Sequence, residues 1–200
     1  MRVVVLASGT GTLLQSMLDD LGEGVEVVAV GVDRPCAAEE RAAQAGVPSF
    51  RVDYNPERVS GYDRAGWNER LASEIAAYTP DVVVSAGFMR ILGAPVVERF
   101  RGRIINTHPA LLPSFPGAHA VEDALAYGVA LTGSTVHVVD DGVDTGPIIA
   151  QRAVPVLRAD SVELLHERIK TVERALIVDV LHQTAQSGYT IEGRKVCIND

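Results

Sequence analysis

Residues 3–12 read Val3-Val4-Val5-Leu6-Ala7-Ser8-Gly9-Thr10-Gly11-Thr12. The apolar, β-branched run fits a strand buried on both faces, as in a parallel sheet. Two glycines close it and allow a tight turn. A helix over Leu13–Leu21 then places Leu13, Leu14, Met17, Leu18 and Leu21 on an apolar stripe. Strand, small-residue turn and helix together open a βαβ unit. Outward from this start the alternation continues. Val25–Val32 reads as a strand, Ala37–Ala45 as a helix closed by Gly46 and Pro48, and Ser49–Val52 as a short strand. A helix is expected over Tyr62–Tyr78, stopping before Pro80, then strands at Val82–Ala86 and Ile104–Thr107. Beyond that the grammar changes. Leu131–Val138 and Pro147–Val154 read as strands around an acidic loop, Ser161–Ala185 as a long amphipathic helix, and the tail as a hairpin about Gly193. The expectation is an α/β fold: a doubly wound, mostly parallel sheet with an antiparallel extension. No repeat, low-complexity segment or Pro/Gly/Ser linker interrupts it, so we expect one domain over residues 1–200.

Composition narrows the classes of function. Eighteen basic against twenty-six acidic residues give a net charge of −8, which argues against a nucleic-acid partner. A hydrophobic content of 47% argues against disorder, and no run approaches the ~20 apolar residues of a membrane span. The apolar start ends after six residues, too early for a signal-peptide core. Cys36 and Cys197 lack metal-like spacing, so neither a metal site nor a disulfide scaffold is expected. A cytoplasmic protein acting on small molecules, with no membrane partner, is the reading that remains.

In an open α/β sheet, ligands sit beyond the carboxyl ends of the strands. After the first strand, Ser8-Gly9-Thr10-Gly11-Thr12 offers backbone N–H groups at a helix start, suited to a phosphate. The dinucleotide fingerprint Gly-x-Gly-x-x-Gly fails at Leu14, although Asp33 stands where a ribose-binding acid would. After Val82–Ala86 comes Gly87-Phe88-Met89-Arg90-Ile91-Leu92, which is either an apolar pocket wall or loop packing. After Ile104–Ile105 comes Asn106-Thr107-His108-Pro109, followed by Pro113 and Pro116. Asn106 and His108 are two apart on an extended segment and so share a face. An amide donor beside an imidazole serves acyl transfer, where an oxyanion must be stabilised and a proton moved. His137 reads as a hydrogen-bonded core histidine, His166 and His182 lie on the long helix, and His119 is open. Asp140-Asp141-Gly142-Val143-Asp144 fits a solvated turn better than a calcium loop, and one of its acids suits a pairing with His108.

Four blocks, in order, carry a family resemblance: residues 7–12, 86–92, 106–113 and 140–149. Together they resemble the folate-dependent formyltransferases, specifically those of purine biosynthesis. The resemblance implies transfer of a formyl group from 10-formyltetrahydrofolate, as co-substrate, to the amine of 5-phosphoribosylglycinamide. By motif position Asn106, His108 and Asp144 would be the catalytic trio, with no metal. Gly11, Thr12 and Leu13 would cradle the substrate phosphate through backbone N–H groups. Gly87, Pro109, Lys170 and Glu173 would complete that substrate's site, with Glu173 at the amine. Arg64, Met89, Arg90, Ile91, Leu92, Val97, Asn106, Asp140, Asp141, Gly142 and Val143 would bind the folate, Arg64 on its acidic side. The family usually has Asn where Leu13 and Asp33 stand. A homodimer is left open.

The catalytic motif also occurs in formyltransferases acting on methionyl-tRNA and in formyltetrahydrofolate hydrolases, which carry additional domains. A length of 200 residues leads us to expect neither, and the acidic charge argues against tRNA. A regulatory module that kept the fold would predict damage to Asn106, His108 or Asp144, and all are present.

Overall fold

A computed structural model describes residues 1–54 and 63–199. The chain falls into two compact units, Met1–Ile104 and Ile105–Asp200.

In the first unit, four strands lie in the order β3 (Ser49–Arg51), β2 (Glu26–Val32), β1 (Arg2–Ala7) and β4 (Val82–Ser85). All of these pairings are parallel. Val3, Val4, Val5 and Leu6 are fully buried, as a central parallel strand requires. The helices are α1 (Thr12–Asp20), α2 (Ala37–Gln44), α3 (Arg64–Ala77) and α4 (Ala94–Arg99). The expected helix over Tyr62–Tyr78 is observed as α3, and Tyr62 lies outside the described residues. Asp63 caps α3 by accepting from the Gly66 N–H at 2.9 Å. The helix α4 was not expected from sequence. It starts at Ala94-Pro95, where a proline is tolerated because the first N–H groups have no intrahelical acceptor.

The second unit orders its strands β5 (Ile104–His108), β6 (Leu131–Val138), β7 (Ile148–Pro155), β9 (Lys195–Ile198) and β8 (Tyr189–Glu192). β5 belongs to this unit apart from Ile104, the last residue of the first. The pairs β5/β6, β6/β7 and β8/β9 are antiparallel, giving the expected extension and the hairpin about Gly193. A short helix, α5 (Ala120–Tyr127), also went unexpected, and the long α6 (Val162–Ser187) is present. Val121, Val154, Leu165 and Ile169 form a buried cluster, packing α5, β7 and α6 together. Among the described residues, no helix is long and apolar enough to cross a membrane.

Candidate active site

In the first unit, Gly11 stands at the N-cap of α1 with φ +68°, a left-handed conformation. A Cβ there would lie 3.0 Å from the Ala38 backbone, so both space and conformation favour glycine. The loop is fastened from α2: Arg41 Nε donates to the Thr10 carbonyl at 2.7 Å, and the Ala38 N–H donates to Gly9. Leu13 is buried and cannot offer the polar contact of the usual Asn. The backbone N–H groups of the first turn remain the donors an anion would meet.

The turn after β4 is tied down from several directions. Arg64 donates to the Ile91 carbonyl at 3.0 Å, and the Gly93 N–H donates to Asn68 Oδ1 at 2.7 Å. Phe88 stacks on Trp67 at 6.3 Å between ring centroids, and Trp67 itself donates to the Val52 carbonyl. The Met89 N–H donates to Ser8 Oγ at 2.9 Å, and Arg90 Nε donates to Asp33 at 2.6 Å. Yet Met89 and Ile91 are 71% and 59% exposed. Immobilised backbone carrying exposed apolar side chains is a prebuilt apolar surface, which supports the pocket-wall reading. Val97 is buried, and Gly87 takes a positive φ of +67°. Arg64 therefore serves the turn directly, and its neighbours Trp67 and Asn68 were missed by sequence reasoning. The Asp33 carboxylate, where a ribose-binding acid would stand, is engaged by Arg34, Arg90 and Ser8.

In the second unit, β5 and β6 set the chemistry. Their register places Asn106 opposite His137 and His108 opposite Thr135. Asp144 Oδ2 lies 3.3 Å from His108 Nδ1, and Asp144 Oδ1 lies 3.5 Å from His137 Nε2. The Asn106 amide Nδ2 lies 3.2 Å from the same His137 Nε2. His137 Nε2 therefore faces both Asp144 and the Asn106 amide. His137 Nδ1 faces the Val138 carbonyl at 3.1 Å. The reading of His137 as a buried, hydrogen-bonded histidine is correct, but its partners are the catalytic candidates. An antiparallel register placing it across from Asn106 was the signal that could have found it.

His108 meets an acceptor at each ring nitrogen, because its Nε2 lies 2.7 Å from the Phe115 carbonyl. Both acceptors come from residues with positive φ, Phe115 at +55° and Asp144 at +53°. Each such conformation costs on the order of 1–3 kcal/mol, so the surrounding fold must enforce it. The Gly117 N–H donates to Asp144 Oδ2 at 2.8 Å and fixes the carboxylate. Hydrogen bonding by His137 holds the Asp144 carboxyl below its usual range; burial opposes this, while Gly117 and the charges of His108 and His137 reinforce it. Thr135 secures the proline loop: its hydroxyl donates to the Ala110 carbonyl at 2.6 Å and accepts from the Leu112 N–H. Gln151 donates to the Leu112 carbonyl and to Thr135. The Leu112–Pro113 bond is cis.

The acidic loop is a turn built by its own first acid. Asp140 Oδ1 accepts from the Gly142 N–H at 3.0 Å and the Thr145 hydroxyl at 2.6 Å. Asp141, Gly142 and Val143 are exposed. Among the described residues no group of three or more His, Cys, Asp or Glu could hold a metal ion. Glu173 hydrogen-bonds Thr107, but burial dominates and raises its carboxyl above the usual value. The Lys170 ammonium lies 2.7 Å from Glu167. Pro109 is half-buried directly after His108, and His119 is exposed at the start of α5, outside this network.

An amide, a buried imidazole and a carboxylate gathered at the end of β5 are the residue types that acyl-group transfer uses. The chain belongs to the formyl transferase family, whose model matches residues 1–181. It is 57% identical over 196 residues to the phosphoribosylglycinamide formyltransferase of Mycobacterium tuberculosis, covering 96% of this chain and 89% of that protein. The enzyme of the same name from Escherichia coli is 39% identical, over 88% of this chain and 83% of its own. Among solved structures, glycinamide ribonucleotide transformylase 1 from Symbiobacterium toebii superposes with a TM-score of 0.93 at 42% identity. That match covers 100% of this chain and 94% of the other. The α/β class with a mostly parallel, mixed sheet is therefore that of known formyltransferases.

Proposed function

We propose that this chain transfers the formyl group of 10-formyltetrahydrofolate to the primary amine of 5-phosphoribosylglycinamide, in purine biosynthesis. The observation carrying this reading is the Asn106–His108–Asp144 set at the end of β5, within 3.3 Å for the His108–Asp144 pair. The named relatives supply the substrate.

The amine nitrogen attacks the formyl carbon, forming a tetrahedral oxyanion. Asn106 and His108 are the donors for that oxygen, and losing one such donor typically costs ~10²–10³ in rate. In the geometry described, the Phe115 carbonyl occupies His108 Nε2, so the oxyanion replaces it as acceptor during the reaction. Asp144 orients the imidazole and stabilises its positive charge, and moves the amine proton through water. Collapse breaks the bond from the formyl carbon to the folate nitrogen, which leaves with a proton. Backbone N–H groups of Gly11, Thr12 and Leu13, with Gly87, Pro109, Lys170 and Glu173, are assigned to the phosphorylated amine. Arg64, Met89 to Leu92, Val97, Asn106 and Asp140 to Val143 are assigned to the folate. Residues 1–200 act as one catalytic domain on small diffusible substrates, suiting a cytoplasmic enzyme without nucleic acid, membrane or metal.

The test is turnover with 10-formyltetrahydrofolate and 5-phosphoribosylglycinamide, following folate release. Release that depends on the amine is expected. Release at an equal rate without it would identify a hydrolase instead.

A further inference from the structure

We propose that Asp33 is a positioning residue for the folate-binding turn, holding Arg90 through its side chain and Met89 through Ser8. The inference rests on the assignment of that turn to the folate. Asp33 follows β2, and its carboxylate has no exposed surface. Arg90 Nε lies 2.6 Å from Oδ2 and Arg34 Nη2 lies 3.1 Å from the same oxygen. The Ser8 hydroxyl hydrogen-bonds this carboxylate as well, leaving its oxygen to accept the Met89 N–H at 2.9 Å.

One buried anion thus gathers the ends of β1, β2 and β4. It fixes two adjacent residues of the turn, one by an ion pair and one by a hydroxyl relay. The Arg90 guanidinium is further packed 4.2 Å over the Tyr54 ring, which adds to its anchorage at Asp33. Burial alone would raise the Asp33 carboxyl, but hydrogen bonds from Ser8, Arg34 and Arg90 outweigh it and keep the group below its usual range. An anion is what this cluster needs. An Asn in this place would have a single acceptor oxygen, could not satisfy Ser8 and two guanidinium groups together, and would leave both cations without a counter-charge. The consequence falls on binding geometry: Met89 and Ile91 keep their apolar surface only while the backbone between them is held.

The experiment measures KM for each substrate, kcat and thermal midpoint in Asp33→Asn, Arg90→Met, Arg90→Lys and Asp33→Asn/Arg90→Met. Asp33→Asn is expected to raise KM for 10-formyltetrahydrofolate about tenfold, the loss of roughly one charge-assisted hydrogen bond, with KM for the amine and kcat within about threefold. On the Arg90→Met background the same change adds less than about threefold, because the two residues act as a unit. An unchanged folate KM, equal rises in both KM values, or a full tenfold effect on that background each overturns the proposal. Should Asp33→Asn fail to fold, Arg90→Lys decides. Folate KM preserved by Lys and lost in Arg90→Met supports the ion pair, and equal losses overturn it. Ile91→Ala separates the two levels of inference. If it leaves folate KM unchanged, the turn does not bind folate; if it raises folate KM while Asp33→Asn does not, only the role of Asp33 fails.

Discussion

The ends of β4 and β5 are built in opposite senses. After β4 the main chain is held, at Met89, Ile91 and Gly93, while large apolar side chains stand in solvent. After β5 the side chains themselves are held: His108 is 3% exposed and engaged at both ring nitrogens. The difference fits the work proposed for each. An apolar ligand needs only surface of the right shape, and the hydrophobic effect is non-directional. Proton transfer and oxyanion binding need atoms placed to within tenths of an ångström. A region that fixes backbone is therefore read as binding, and one that fixes side chains as chemistry.

The sharpest way to break this contrast is His108→Ala. Turnover is expected to fall by at least ~10³, since the general acid–base and an oxyanion donor go together, while folate still binds. Turnover close to the parent's would remove the chemistry from the end of β5. Asp144→Asn comes next, with an expected loss of about 10²-fold in kcat. The amide keeps the shape but leaves His108 without its anion. Substrate binding by that variant, followed by calorimetry, should stay near the parent's; a loss confined to KM would contradict the orienting role. Asn106→Ala should cost about 10² in kcat, one oxyanion donor. By contrast Ile91→Ala, on the binding side, should change folate KM by about fivefold with kcat intact, the effect of trimming one aliphatic side chain that the ligand would cover.

Legibility in the sequence followed the range of the contacts involved. Strands β1, β2 and β4 declared themselves because a buried strand is a mainly apolar run, a purely local signal. The glycine turn at residues 9–11 and the Asn106-x-His108 alternation are local too. The short helices α4 and α5 were hidden: six and eight residues carry little periodicity, and Pro95 masked one start. The supports of the site were hidden for another reason. Thr135 reaches Ala110 across 25 residues of sequence, Gln151 reaches Leu112 across 39, and Asp33 reaches Arg90 across 57. Asp33 looked like a ribose ligand or a turn residue, because its two cationic partners could not be seen together.

The smallest effect on function is expected at Asp160, and it tests whether ion pairs away from the strand ends matter to catalysis. Arg168 clamps this carboxylate with Nη2 to Oδ1 at 2.6 Å and Nη1 to Oδ2 at 2.9 Å, while Asp160 caps the Leu157 N–H. Hydrogen bonding from Arg168, then from Leu157, lowers the Asp160 carboxyl to about 2. A carboxyl depressed on folding stabilises the protein above its unfolded pKa of about 4, and that stabilisation drains away as pH falls toward the folded value. Asp160→Asn should therefore lower the thermal midpoint at pH 7, and the gap from the parent should narrow steadily below about pH 4. Folate and amine KM values should stay at the parent's, because none of these contacts involves the ends of β4 or β5. A midpoint gap that persisted unchanged into acid would show that Asp160 acts by packing and not by charge. A shift in either KM would mean that the strand ends are not the boundary between scaffold and site.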